Sequence, residues 1–123
     1  MTQGAYSSDQ AFPFTAGGTI TEWQLVKRSA ADTVVVSSVA YEECVGIATV
    51  EASSGQIVSV QVGDISIAIA GGTIHIGNQL TSNGDGTLIA ATAGHNSDIM
   101  GRALEDAASG DKFRMVIDHA FLD

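Results

Sequence analysis

The most constraining feature of this sequence is an internal duplication. The segment from Cys44 to Val62 recurs 55 positions later as Ile99 to Ile117. Five positions are identical between the copies: Gly46 and Gly101, Ala48 and Ala103, Ala52 and Ala107, Ser54 and Ser109, and Gly55 and Gly110. The identities fall on glycines and small turn residues, as expected of two copies that share backbone geometry more than side chains. The pattern predicts two related structural units in one chain.

The duplication extends upstream of these segments. The pentapeptide Ala16–Ile20 recurs unchanged as Ala70–Ile74 at a shift of 54, and Gln24-Leu25 precedes Gln79-Leu80 by 55. We interpret the difference as one residue gained between the two landmarks. The predicted pseudo-repeats, each of ~55 residues, are 16–62 and 70–117.

The apolar periodicity predicts β-strands. Phe113, Met115 and Ile117 alternate with polar or smaller residues after a glycine turn at 108–111, and Asn83–Gly86 is a hairpin signal. No stretch keeps a helical apolar stripe over three turns. The expected fold class is therefore all-β, a small β-barrel or β-tulip-like domain, and the sequence leaves open whether the repeats form one barrel or two lobes.

One predicted strand suggests a contact surface. Ile65, Ile67 and Ile69 alternate with Ser66, Ala68 and Ala70. We expect the isoleucines to face the core and the small residues to face outward, where another sheet can lie flat against them. Ser66, Ala68 and Ala70 are therefore candidate subunit contacts, and the alternative is that they form a second buried face.

The N-terminal region differs from the repeats in composition. Residues 1–15 carry Tyr6, Phe12 and Phe14 among polar residues, together with Pro13, the only proline. Proline removes a ladder donor and biases the preceding residue toward extended backbone, which favours an extended arm over a central strand. We expect an arm over 1–15 and a single β domain over 16–123. Its aromatic residues suggest contacts with a partner, whereas the alternatives are a frayed terminus or a loop lying on its own domain.

Composition excludes several functions. Fourteen acidic residues against five basic ones give a formal net charge of −9, which opposes binding to nucleic acid. The sequence has no apolar run of membrane-spanning length and no signal peptide at Met1, so we expect no membrane partner and synthesis in the cytoplasm. The single Cys44 rules out an internal disulfide and predicts a buried structural thiol.

No residue pattern indicates catalysis or a cofactor. Glu42-Glu43 is most simply a solvated pair, and the histidines His75, His95 and His119 lack metal-ligand spacing. The segment Asn83–Thr87 lacks the alternating acidic ligands and distant glutamate of a calcium loop. We therefore predict no catalytic, cofactor or metal site, and a protein that is not an enzyme.

Several short motifs carry a resemblance to a known family. They are Val45–Ala48 and Gly101–Leu104, each before a glycine turn and a closing strand, with Gly77–Leu80 and Gly84–Gly86 between them. Over about Ala16 to Ile117 the chain resembles the head decoration, or capsid cement, proteins of tailed bacteriophages.

The resemblance implies an all-β structural protein of the virion, made in the host bacterial cytoplasm. It implies a homotrimer that braces the outer surface of the phage capsid at three-fold or quasi-three-fold positions, with the major capsid protein as partner. Proteins of this family commonly engage the shell through an N-terminal arm, which here corresponds to Met1–Phe14. The candidate capsid contacts are Tyr6, Phe12, Pro13 and Phe14.

A binding module is the alternative function. A β domain on the virion surface or the tail could recognise host glycans, with Trp23 and Tyr41 stacking on sugar rings. Both aromatic residues are also plausible packing residues.

Overall fold

The computed structural model describes residues 11–92 and 97–122, which form an all-β fold, as predicted. The strands in this part of the chain are β1 Ala11–Ala16, β2 Leu25–Ala30, β3 Thr33–Val36, β4 Gly46–Ala48, β5 Ile57–Gln61, β6 Asp64–Ile69, β7 Gln79–Ser82, β8 Leu88–Ala90, β9 Ser97–Ala103 and β10 Lys112–Leu122. Nowhere in these two ranges is there a helix that is long and apolar enough to cross a membrane.

The strands form two five-stranded units. Strands β6 to β10 correspond to β1 to β5 in sequence order, and the neighbours around each unit are the same. In the first, β1-β3-β2-β4-β5 form a closed barrel in which β1 pairs with β5 antiparallel and with β3 parallel. In the second, the order is β6-β10-β9-β7-β8, and a single parallel bridge between Ala70 and Leu88 joins the two end strands. The repeats therefore form two lobes, one closed by strand pairing and the other nearly open at the β6–β8 seam.

Matching hydrogen bonds recur in the two units. An antiparallel bridge joins Ile20 to Ala52 in the first unit and Ile74 to Ala107 in the second. The turn before the last strand is also fixed in the same way, because the N–H of Gly55 donates to the carbonyl of Ala16 at 2.7 Å and that of Gly110 donates to Ala70 at 2.8 Å. Glycine suits both turn positions because each has a φ of 89°.

The offset between the repeats changes from 54 to 55 residues, and the structure places the inserted residue later in the chain than the sequence match suggested. The N–H of Ala48 donates to Gln24 in the first unit, and the N–H of Ala103 donates to Asn78 in the second. Gln24 is thus equivalent to Asn78, and its match with Gln79 is coincidental. The shift remains 54 through both hairpins, where Val26 pairs with Val36 and Leu80 pairs with Ala90. The extra residue consequently lies after these hairpins, before Gly46 and Gly101.

Each unit has its own core, and the second core includes residues from the first unit. Val26, Val34, Val58 and Val60 belong to the first core. Leu25, Cys44 and Ile47, although part of the first unit, pack with Phe113, Met115 and the other core residues of the second. The two units therefore share one continuous apolar contact.

Leu25 also contributes a backbone hydrogen bond beside the β6–β8 seam of the second unit. In the first barrel the N–H of Thr15 donates to the carbonyl of Asp32 at 2.8 Å, which helps to close β1 against β3. The equivalent carbonyl in the second unit belongs to Gly86, and it accepts from the N–H of Leu25 at 2.8 Å instead. A backbone group of the first barrel thus takes the place of the missing strand pairing.

The predicted N-terminal arm is wrong for the residues that the structure describes. Residues 11–15 pair with β5, so they are an integral strand of the first barrel. Successive backbone N–H groups of a strand point to alternate sides, and those of Thr15 and Gly17 donate on the β3 side. The nitrogen of Pro13 therefore points to the same side, at a level where β3 has not yet begun. The proline therefore removes no ladder hydrogen bond.

The last strand, β10, is unusually long and continues to Leu122. Its pairing with β9 shifts register between Ile117 and Ala120 and then resumes. A β-bulge of this kind lets one long strand bend and still follow its neighbour.

Candidate functional site

The candidate capsid contacts on β1 divide into exposed and buried residues. Phe12 is 49% exposed and Pro13 is also exposed, whereas Phe14 is only 8% exposed and belongs to the first core. The guanidinium of Arg28 lies 5.7 Å from the centre of the Phe14 ring, a cation–π distance. Tyr6 lies outside the described residues. Phe12 and Pro13 are therefore available to a partner, and Phe14 is a core residue.

The candidate subunit contacts on β6 lie on the buried side of the strand. Ser66 is 7%, Ala68 0% and Ala70 1% exposed. The predicted faces of β6 are inverted, because Ala68 lies opposite the large Phe113 of β10 in the core and no room remains there for isoleucine. The expectation that these three residues face outward is therefore wrong, because they form the buried face of the strand.

The inversion turns the isoleucines of β6 outward. Ile65 is 54% exposed, and Ile67 and Ile69 are half-buried. On the adjacent β10, Arg114 lies opposite Ile67 and Lys112 opposite Ile69. Both basic side chains are exposed, so an apolar strand and a basic strand lie side by side on the outer surface of the second unit.

A shallow groove of about 270 Å³ borders this surface on the side of the first unit. Its lining includes Trp23, Ile65, Ile67 and Arg114. Trp23 is half-buried against the second core, with a φ of 72°. The equivalent position in the second unit is Gly77, which has a φ of 87°, so Trp23 occupies a backbone conformation that favours glycine. Left-handed backbone at a non-glycine residue costs on the order of 1 kcal/mol or more.

In the acidic pair Glu42-Glu43, Glu42 has a structural role and is not simply solvated. Its carboxylate accepts from the N–H groups of Ser38 and Val39 at 2.8 and 2.9 Å and forms an ion pair with Lys27 at 3.1 Å. Partial burial alone would raise the pKa of Glu42, but these hydrogen bonds and Lys27 outweigh it and lower the pKa. Glu43 is exposed.

The remaining ionisable groups of the described residues include a buried thiol, Cys44. A pocket of about 390 Å³ is lined by Arg28, Glu43, Cys44, Val45 and His119. Burial raises the pKa of the Cys44 thiol to about 12, so it stays protonated and is a poor nucleophile at neutral pH. No cluster of three or more His, Cys, Asp or Glu residues in residues 11–92 and 97–122 could hold a metal. His95 lies outside these ranges.

The aromatic residues suggested for glycan stacking occupy different surroundings. Trp23 lines the groove beside β6. Tyr41 is half-buried in the loop between β3 and β4, where its backbone N–H donates to Ser82 and its carbonyl accepts from Asp98. Both have positive φ and are held by the fold.

The exposed isoleucines of β6 are the residues that sequence reasoning assigned to the wrong side. The alternation of Ile65, Ile67 and Ile69 identified the strand but not which face is buried. The available signal was the facing strand. Phe113 and Met115 alternate with basic residues and point inward, and their cross-strand neighbours, Ala68 and Ser66, share that face.

Comparison with known proteins identifies the family. A solved structure, the N base of head fiber gp8.5 in bacteriophage phi29, has the same fold: it superimposes with a TM-score of 0.71 at 23% identity, covering 92% of this chain and 97% of that chain. A search of curated proteins found no match. The sequence model of the phage cement proteins matches residues 10–118, which include every strand up to most of β10. The chain therefore belongs to the phage cement protein family.

Proposed function

We propose that this protein decorates the outer surface of a phage head as a homotrimer, binds the major capsid protein there and braces the shell without performing catalysis. The observation that carries this proposal is the match to the phage cement protein model over residues 10–118. The fold suits the role, because two five-stranded units joined by a shared core make a body that resists deformation. A trimer would add avidity, since three linked weak contacts hold far better than one.

We place the capsid contact at the exposed part of β1. Phe12 and Pro13 lie on the surface of a strand that pairs with β5 from Ala11 to Thr15. An aromatic and a proline side chain presented on a rigid strand can bind an apolar pocket without a large loss of conformational entropy. Tyr6 remains a candidate contact by its position upstream of this strand.

A point substitution tests this contact better than truncation. Deleting residues 1–14 would remove most of β1 and open the first barrel, so loss of binding would report only loss of the fold. Phe12→Ser keeps β1 paired and removes one exposed ring. We expect it to weaken binding to purified heads that lack this protein by tenfold or more, measured by co-sedimentation.

Ile76→Ser is the matched control, because Ile76 is also exposed, at 68%, and lies in the second unit. We expect it to bind heads as the unaltered protein does. Equal binding by Phe12→Ser would refute the proposed contact, and failure of the unaltered protein to bind heads of its own phage would refute the decoration role.

A further inference from the structure

The outer surface of the second unit combines apolar and basic residues. We define the basic–apolar face by the outward residues of three neighbouring strands: Ile65, Ile67 and Ile69 on β6, Lys112, Arg114 and Val116 on β10, and Arg102 on β9. Cross-strand pairing places Ile65 beside Val116, and Val116 beside Arg102. The residues thus form one continuous patch.

The charge of this face is opposite to that of the chain. Three of the five basic residues lie on it, although the chain has fourteen acidic residues and a net charge of −9. The other two basic residues already have partners within the chain, because Lys27 pairs with Glu42 and Arg28 lies over Phe14. On the face, only Arg114 has an ion pair among the described residues, with Glu105 at 3.3 Å, and an exposed pair of this kind is weak.

The fold itself does not require this composition. The strand equivalent to β6 is β1, where Ala11, Pro13 and Thr15 stand in place of the three isoleucines. On β5, the equivalents of Lys112 and Arg114 are the uncharged Ile57 and Ser59. Both units have apolar inward faces, so the difference concerns only what the outer face contacts.

The groove beside the face indicates a site for an inserted side chain. Trp23 keeps a strained backbone conformation where the other unit has glycine, and its side chain lines the groove together with Ile65 and Ile67. Strain of this kind persists where the surrounding structure fixes the residue, and it is concentrated at functional positions. Exposed apolar side chains that continue into a groove lined in part by aromatic and aliphatic residues are typical of a protein–protein contact.

We infer that the basic–apolar face binds the acidic surface of a second copy of this chain. The partner follows from charge complementarity, because the rest of the same molecule supplies the excess of carboxylates. The contact is heterologous, with unlike surfaces meeting, and a heterologous contact that closes forms a ring. This inference rests on the proposed homotrimer and assigns its subunit contact to the β6–β10 surface.

Solution mass measured by sedimentation equilibrium tests the assignment without heads. Ile65→Asp puts a carboxylate on the face, opposite the acidic partner, and Ile76→Asp makes the same change at an isoleucine that is 68% exposed outside the face. We expect Ile65→Asp to weaken association by a hundredfold or more and to sediment as a monomer. Ile76→Asp should retain the mass of the unaltered oligomer.

Charge reversal gives a second and independent measurement. Arg114→Glu should also weaken association, and raising the salt concentration from about 0.05 to 0.5 M should weaken the unaltered oligomer by screening the same charges. Circular dichroism checks that each variant is folded.

Two results would overturn the assignment: an Ile65→Asp protein of unaltered mass, or an unaltered protein that is monomeric throughout. If the Ile65→Asp protein kept its mass but no longer bound heads, the face would be assigned to the capsid. Head binding by the unaltered protein is measured separately, so failure of the assignment leaves the decoration role standing.

Discussion

At the scale of single residues, two glycines allow the closest approach of neighbouring strands. Gly46 and Gly101 occupy equivalent positions in the two units, and a Cβ atom at either would overlap a backbone carbonyl oxygen, that of Gln61 or Val116 respectively. Backbone atoms cannot move aside as the end of a flexible side chain can. These positions therefore require glycine for space, whatever the conformation of the backbone.

Gly101→Ala should consequently lower the free energy of unfolding by about 1–3 kcal/mol, the usual cost of overpacking. Gly46→Ala should behave in the same way. Gly18→Ala is the control, because no heavy atom lies within 4 Å of a Cβ at that position. Urea denaturation measures all three, and equal stability of Gly101→Ala and Gly18→Ala would contradict the close approach.

The sequence revealed some of these residues and concealed others. Gly46 and Gly101 were evident because they recur at a fixed spacing of 55. Trp23 was not identifiable as a strained residue. Its equivalent, Gly77, lies 54 positions later, whereas the match of Gln24-Leu25 to Gln79-Leu80 implied an offset of 55 and aligned Trp23 with Asn78. Glycines required by the backbone thus align two repeats correctly, whereas a dipeptide that matches by coincidence shifts the alignment by one residue.

At the scale of strands, the two units exchange large and small residues across one core pair. In the first, Phe14 on β1 lies opposite Val58 on β5. In the second, the equivalent pair is Ala68 on β6 and Phe113 on β10. Each pair has one phenylalanine and one smaller residue, all four being buried, so the two cores are filled from opposite strands.

We predict that the second unit can accept the phenylalanine–valine arrangement of the first. Ala68→Phe alone should overpack the second core, and Phe113→Val alone should leave a cavity, each lowering stability by about 1–3 kcal/mol. The double variant copies the pair of the first unit. It should be more stable than the sum of the single effects by about 1 kcal/mol or more, measured as a double-mutant cycle in urea. Strictly additive effects would show that the two pairs are not equivalent.

The same pair explains what could be predicted for the strands. Alternation located β6 and β10 correctly, since period two depends only on the backbone. It could not show which side of β6 is buried, because that depends on the volume left by Phe113 across the ladder. The assignment of Pro13 to an arm failed for a related reason: whether a proline disrupts a strand depends on the side that its nitrogen faces, which only the neighbouring strand reveals.

At the scale of the whole molecule, the two units depend on each other unequally. The first has a core of its own, whereas the second core includes Leu25, Cys44 and Ile47 of the first unit. We expect a single cooperative unfolding transition because separating the units would expose this shared contact to water.

Leu25→Ala should lower the free energy of unfolding by about 2–5 kcal/mol, since Leu25 is fully buried between the units. The fluorescence of Trp23, which packs against the same core, and circular dichroism of the strands should change at one denaturant concentration. Val34→Ala, in the first core only, is the matched comparison and should also leave one transition. Two separate transitions in the unaltered protein would contradict the shared core.

The nearly open seam between β6 and β8 also gives a direction to biosynthesis. A ribosome releases the N-terminal half first, and that half contains all the strand pairing that its barrel needs to close. The later half then emerges beside a finished neighbour whose Leu25 supplies the hydrogen bond at Gly86. The linear order of the two copies along the polypeptide therefore matches the order in which each can be completed during translation.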